Sequence, residues 1–378
     1  MRSTWQRAVA GFLAFCLVAS AAPAPVGPAR FTGVASCQSS GCHGGGVGSD
    51  QCATWASVDF HVRAFAILLT PRSRAITDAL HSDNPPENPR CTACHSPFQA
   101  LAALHPGRVL PAAHPDEGVS CESCHGPASA WLLSHTRKDY TYAQRIASGM
   151  NDLRSPYGRA NTCVACHEYL APDIAKAGHP ELIFELDSQS VSEPPHWHDT
   201  DPWIGLHSWL AGQAVAFREE TWHVLRTEPG ASSRWEALGW LLQQSAGGLG
   251  GLPGFSFAQG SIKPGDLLAL EKGSDALAQR AADFAWTADA ARGFLQRLAS
   301  TGPEIPRLDG LDRRAHRAEV LVQAMDRILV ELNHHGVTIP GSAQKLDVLF
   351  ADVRVPGSFD SAKFCQDLDQ FSNSLGKL

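Results

Sequence analysis

A chain of 378 residues with a formal net charge of −7 and only 18% charged side chains has room for two domains and a sizeable core. It lacks the basic excess with which proteins track phosphates, so nucleic acid is not an expected partner.

The first residues read as an export signal. Arg2 and Arg7 flank a polar start, Ala8 to Ala19 is an apolar run, and Ala19-Ser20-Ala21 suits a small-residue cleavage site. The run is too short to span a bilayer comfortably. Cys16 follows Phe15, where a lipid-attachment site calls for a small residue, so it belongs to the discarded signal, residues 1–21. No later stretch approaches membrane-spanning length. The mature protein is therefore expected without a membrane span, in the periplasm or otherwise exported.

Residues 31–200 are interrupted constantly by Pro, Gly, Asn and Asp, as in HSDNPPENPR and VSEPPHWHD. One periodic segment stands out, Cys52 to Leu69, in which Trp55, Val58, Ala64, Phe65 and Leu68 recur at helical steps until Pro71. Such a stretch has too few hydrophobic side chains for a conventional core. Something else must fill it.

From residue 201 the texture changes. Asp201-Pro202 is a helix start, and Trp203, Leu206, Leu210, Ala214, Phe217 and Val224 mark one face. A shorter helix is expected around Trp235 to Leu242, then a connector, GGLGGLPG, with no Gly-Lys-Ser/Thr ending that would make a phosphate loop. Helical patterns resume over 264–299, 311–335, 342–352 and 360–375. His207, His334 and His335 suit packed or helix-end histidines, and Trp222, Trp235, Trp240 and Trp286 suit core aromatics. The fold class is mainly α: a loop-rich domain over 31–200 followed by an antiparallel helical bundle over 201–378.

Without Cys16, ten of the 11 cysteines remain, and all but Cys365 fall before residue 170. Cys91-Thr-Ala-Cys94-His95, Cys121-Glu-Ser-Cys124-His125 and Cys163-Val-Ala-Cys166-His167 match the c-type haem attachment pattern. Two thiols one helical turn apart can add to the two vinyl groups on one porphyrin edge, and the following histidine then binds iron. A zinc cage would leave three adjoining histidines unexplained, and so would a disulfide framework. Porphyrin faces also supply the missing core, because burial of apolar surface contributes about 25 cal/mol per Å² whichever group provides it.

Cys37-Gln-Ser-Ser-Gly-Cys42-His43 is a longer relative of these motifs. Read as a fourth site, it holds haem through Cys37 and Cys42 with His43 below, leaving Cys52 and Cys365 to form a disulfide or stay free. A single thioether through Cys42 and a Cys42–Cys52 disulfide are the alternatives. Methionine is nearly absent after the signal, so second axial ligands are sought among histidines. His61 lies on the periodic segment, His179 is held by Pro180, and His135 follows His125 closely; His114 and His196 come next. His81, His105 and His198 are read as solvated.

The elongated first motif, the run Trp55-Ala-Ser-Val-Asp-Phe-His61-Val-Arg-Ala64, GVSCESCHGP, and GHPELIFEL with PPHW resemble the tetrahaem cytochrome c-554 family, which is related to hydroxylamine oxidoreductases and cytochrome c nitrite reductases. The resemblance covers about residues 31–200. It implies four covalently attached haem c groups, closely stacked in parallel and perpendicular pairs, passing electrons between redox partner proteins. It implies His43, His95, His125 and His167 as proximal ligands, with His61 and His179 the best matches for distal ones. An electron carrier is expected rather than a catalyst. The main alternative is an oxidoreductase acting on hydroxylamine or nitrite at one five-coordinate haem; a sensor or binding module, with the helical half as its working part, is a third.

Overall fold

The structure, a computed structural model, describes residues 28–226, 232–258 and 263–376; the signal expected over 1–21 lies outside the described residues. Among the described residues its regular structure is helical, with one isolated bridge pairing Phe31 with Val109. None of these helices is long and apolar enough to cross a membrane.

The haem-motif half holds ten short helices: α1 (Gln51–Val58), α2 (Ala64–Leu68), α3 (Pro71–Ala79), α4 (Pro89–His95), α5 (Pro97–Leu104), α6 (Cys121–His125), α7 (Tyr142–Ala147), α8 (Pro156–His167), α9 (Pro172–Lys176) and α10 (Leu186–Ser192). Five of them begin on proline. Proline has no N–H to leave unpaired in a first turn, and its fixed φ suits that position. Thr70, Asn88 and Ser155 precede three of these prolines and cap the helices with their side-chain oxygens. The prolines that break up the sequence pattern therefore start helices.

The helix expected over Cys52 to Leu69 is interrupted. Asp59 is extended (φ −77°, ψ 128°), and its Oδ1 accepts the His61 backbone N–H at 2.8 Å, starting a 3-10 turn over Phe60–Arg63. The cap outcompetes the apolar periodicity that runs across it.

This half has little apolar core of its own, a cluster of Phe31, Phe98 and Ala113. Val58, Phe60, Ile67, Leu69, Leu133 and Val191 are among the large apolar side chains the polypeptide leaves exposed. Acidic side chains organise it instead. Glu122, 2% exposed, accepts backbone N–H groups from Thr32 (2.8 Å), Gly33 (2.7 Å) and Ala128 (2.6 Å), and Glu117 accepts from Val34 at 3.1 Å.

The second half forms the bundle: α11 (Ile204–Arg226), α12 (Ser233–Gly248), α13 (Pro264–Ala281), α14 (Ala288–Ala299), α15 (Leu311–His334), α16 (Ser342–Val353) and α17 (Ser361–Ser374). α11 is buried over nearly its whole first half and packs along α13 and α8. α15 carries α12 and α14, and α16 pairs with α17. The helix expected over 264–299 is two, because Thr287 restarts the chain by accepting the Ala290 N–H at 3.1 Å.

Trp235, Trp240 and Trp286 are buried, but Trp222 is 37% exposed, with the Arg226 guanidinium 4.5 Å from its ring centre. Trp222 is thus a surface aromatic, covered by a cation and not by the core. His207 is a packed histidine: Nδ1 pairs with Asp201, and the other ring nitrogen meets the Phe284 carbonyl. His335 stacks on Trp203 at 3.7 Å, and His334 faces Glu331.

The bundle core also takes in Ala160 and Val164 of α8, with Phe184 and Leu186. Gly212 of α11 makes the approach possible, since a Cβ there would lie 2.8 Å from Leu186 Cβ. Polar contacts follow the same seam. Arg234 pairs with the buried Glu168 at 3.1 Å and with Glu220 at 3.5 Å, and Arg327 reaches Asp187 at 3.2 Å. Packing is thus continuous across residue 200. Cys52 in α1 and Cys365 in α17 are free thiols, the latter donating to the Gly302 carbonyl at 3.3 Å.

Candidate haem-binding site

Each CxxCH motif closes a helix. The cysteines of α4, α6 and α8 sit one turn apart near its end, and His95, His125 and His167 are the last helical residues. The longer first motif is a loop whose ends are tied together. The His43 N–H donates to the Cys37 carbonyl at 3.1 Å, and the Cys42 N–H to Ser39 at 2.9 Å, so the extra residues bulge out while the ends stay adjacent. Thr32 and Gly33, just upstream, hang on Glu122 inside CESCH, which brings Cys37 against Cys121.

Every motif histidine faces a histidine from outside the motifs. Ring centres are 6.1 Å apart for His43–His135, 6.3 Å for His95–His179, 6.3 Å for His125–His196 and 6.0 Å for His167–His61. One such pair would be an ordinary aromatic contact. Four, one per motif and within 0.3 Å of one another, are a pattern. A metal–imidazole bond is about 2 Å, so two in line plus the ring radii give centres about 6 Å apart. The first pair is nearly parallel at 13°, and the His61–His167 pair is perpendicular at 89°.

The other ring nitrogen is engaged by the protein in most of these histidines. Nδ1 of His43 meets Gln51 Oε1 at 3.0 Å. Nδ1 of His95, His135 and His179 meets the carbonyls of Ala64 (3.1 Å), Trp131 (3.2 Å) and Pro180 (2.7 Å). The Gln189 amide lies 3.3 Å from Nδ1 of His167. Nδ1 of His61 meets two carboxylates, Asp59 at 3.1 Å and Glu193 at 2.9 Å. Histidines that bind metal through one nitrogen are usually held this way by the other. Burial depresses His95 and His167 below the usual imidazole value and takes His125 to about 4, which keeps these rings in the neutral, metal-binding form. Hydrogen bonds to Asp59 and then Glu193 outweigh burial at His61 and raise it to about 10.

Among the described residues the thiols do not converge as a tetrahedral cage requires. Among the described residues, Asp59, His61 and Glu193 are the one set of three or more potential ligands whose atoms converge within 4.8 Å. The cysteines instead lie in pairs from different motifs, Cys37 beside Cys121 and Cys94 beside Cys166. Burial takes Cys124 to about 12 and Cys163 to about 11.

His114 is brought to none of the four pairs. It is exposed and caps the turn at Pro115–Glu117, its N–H donating to Glu117 at 3.1 Å. His81, His105 and His198 are exposed. Sequence reasoning missed Asp59, Glu193 and Glu122. An acid two residues before a histidine was a visible signal for Asp59; nothing local marks Glu193.

Paired histidines at metal-bridging separation, thiols beside them, and apolar side chains that the polypeptide leaves uncovered all suit haem c. Helical fold and motifs together resemble those of c-type cytochromes. Residues 36–126 match the family model described as cytochrome c554 and c-prime. The family implies covalently bound haem c, electron transfer and redox partners. No curated protein and no solved structure matches the chain.

Proposed function

We propose that the chain is an exported tetrahaem cytochrome that carries electrons between partner proteins through four bis-histidine haems. Bound iron supplies a one-electron ferric/ferrous couple. Cys37 and Cys42, Cys91 and Cys94, Cys121 and Cys124, and Cys163 and Cys166 would hold the four groups. His43/His135, His95/His179, His125/His196 and His167/His61 would supply the nitrogens to the irons. The observation that carries this reading is the set of four histidine pairs at 6.0–6.3 Å. With each motif histidine opposed by another, the arrangement favours a carrier over a catalyst with an open iron.

The sulfur contacts support an order along the chain of sites. Cys37 lies beside Cys121 and Cys94 beside Cys166, while the Cys163 thiol bears on Cys124. The first motif then neighbours the third, the third the fourth, and the fourth the second. The halves 31–200 and 201–378 divide by role: the first holds cofactor, and the bundle braces the fourth site through α8 and Glu168–Arg234.

Single alanine variants at the distal histidines test the reading. H135A, H61A, H179A and H196A should each convert one haem to a high-spin form that binds carbon monoxide, and H114A should convert none. A high-spin haem in H114A, or none in the other four, would show the pairing to be wrong.

A further inference from the structure

We propose that Asp59 and Glu193 are positioning residues that hold the haem of the Cys163–Cys166 site at the lowest reduction potential of the four. The proposal rests on the reading of His61 and His167 as that haem's axial ligands. Among the described residues, His61 is the one axial candidate whose Nδ1 meets a carboxylate, and it meets two, at 3.1 Å and 2.9 Å. The Nδ1 partners found for other axial candidates are neutral, a carbonyl or an amide.

Both acids are fixed by the backbone. Asp59 Oδ1 accepts the His61 N–H at 2.8 Å as well as its ring, which locks the carboxylate and the imidazole to one turn. Glu193 ends α10, its N–H donating to Gln189 at 3.0 Å, and Pro194 and Pro195 follow. Asp59 is 8% exposed, and neither acid meets a lysine or arginine within 4.0 Å among the described residues. Their charge is therefore directed at His61.

A ring N–H shared between two anionic acceptors gives the imidazole partial anionic character. Its other nitrogen becomes a stronger donor, which favours ferric over ferrous iron. Two negative charges close to the metal act in the same sense, because reduction removes a positive charge from their neighbourhood. At longer range the acids also face Cys124 and His196 of the adjoining site, where charge alone acts and a smaller effect is expected.

The experiment is potentiometry of the purified holoprotein followed by visible and EPR spectra, comparing parent, E193Q, D59N/E193Q and H61A. Glu193→Gln keeps size and an acceptor, and its site is partly exposed, so assembly should survive. H61A identifies the haem concerned by its high-spin signal. In E193Q all haems should stay low spin, with the lowest midpoint raised by about tenfold in the reduction equilibrium, about 59 mV for one electron, and further in the double variant. Low-spin haems with that midpoint unmoved in both variants, or the main shift falling on another haem, would overturn the proposal and leave the coordination reading standing. An H61A protein with no high-spin haem would instead overturn the coordination reading.

Discussion

Replacing Glu122 by alanine removes the acceptor on which the loop carrying Cys37 and Cys42 hangs. Its carboxylate takes the N–H groups of Thr32, Gly33 and Ala128 at 2.8, 2.7 and 2.6 Å in a site where Glu122 is 2% exposed. A hydrogen bond to a charged group is worth about 1.5–3 kcal/mol, so three lost bonds amount to at least about 4 kcal/mol. Relief from burying the carboxylate offsets part of that, leaving about 2–4 kcal/mol of net destabilisation. Glu122→Gln keeps one acceptor oxygen, and about half that loss is expected. Urea unfolding of the holoprotein, followed at the Soret band and by far-ultraviolet dichroism, measures the change. Amide exchange at residues 32, 33 and 128 localises it. An E122A protein within about 0.5 kcal/mol of the parent, with those three amides still protected, would refute the clamp.

Arg234→Ala leaves the buried Glu168 and nearby Glu220 without their shared cation, and a loss of about 3–5 kcal/mol is expected in denaturant titration; a loss under 1 kcal/mol would mean the triad is incidental. Glu331 lies above the ordinary carboxyl value of 4.5 because of burial first, then repulsion from Asp187, partly offset by His334. Its folded-state value is raised, so its stabilisation is complete below the unfolded value and is lost as pH rises through the folded one. Glu331→Gln should therefore flatten the fall in unfolding midpoint on going upward from about pH 4.5; parallel pH profiles for parent and variant would contradict this. Gly239→Ala puts a Cβ 2.7 Å from the Phe257 ring, and over-packing of about 1–3 kcal/mol is expected with haem spectra unchanged. A neutral effect on the melting temperature would count against the tight packing of α12.

Much of this molecule is legible in the chain. Each CxxCH motif spells its own chemistry, and α11 and α15 declare themselves by long apolar stripes. Boundaries are harder where a cap competes with periodicity. Asp59 and Thr287 each restart a helix inside an unbroken apolar pattern, although both are cap-forming residue types. Prolines mislead in the other direction, since Pro71, Pro89, Pro97, Pro156 and Pro172 open helices.

Histidine pairing is tertiary information. His61, His135, His179 and His196 could be nominated as ligands from composition and local context, but nothing in sequence joins His61 to His167 or His43 to His135. His114 had the same local merits as His196, and folding makes it a surface cap. The Asp59–His61–Glu193 contact is further still from sequence, because Glu193 reaches His61 only once α10 has docked on α11.

Haem stoichiometry with spin state bears most directly on the four-site account. A pyridine haemochrome assay against protein concentration, with low-temperature EPR of the oxidised protein, should give four haem c groups per chain, all low spin. Fewer than four, or a high-spin ferric signal in the unmodified protein, would contradict four closed bis-histidine sites.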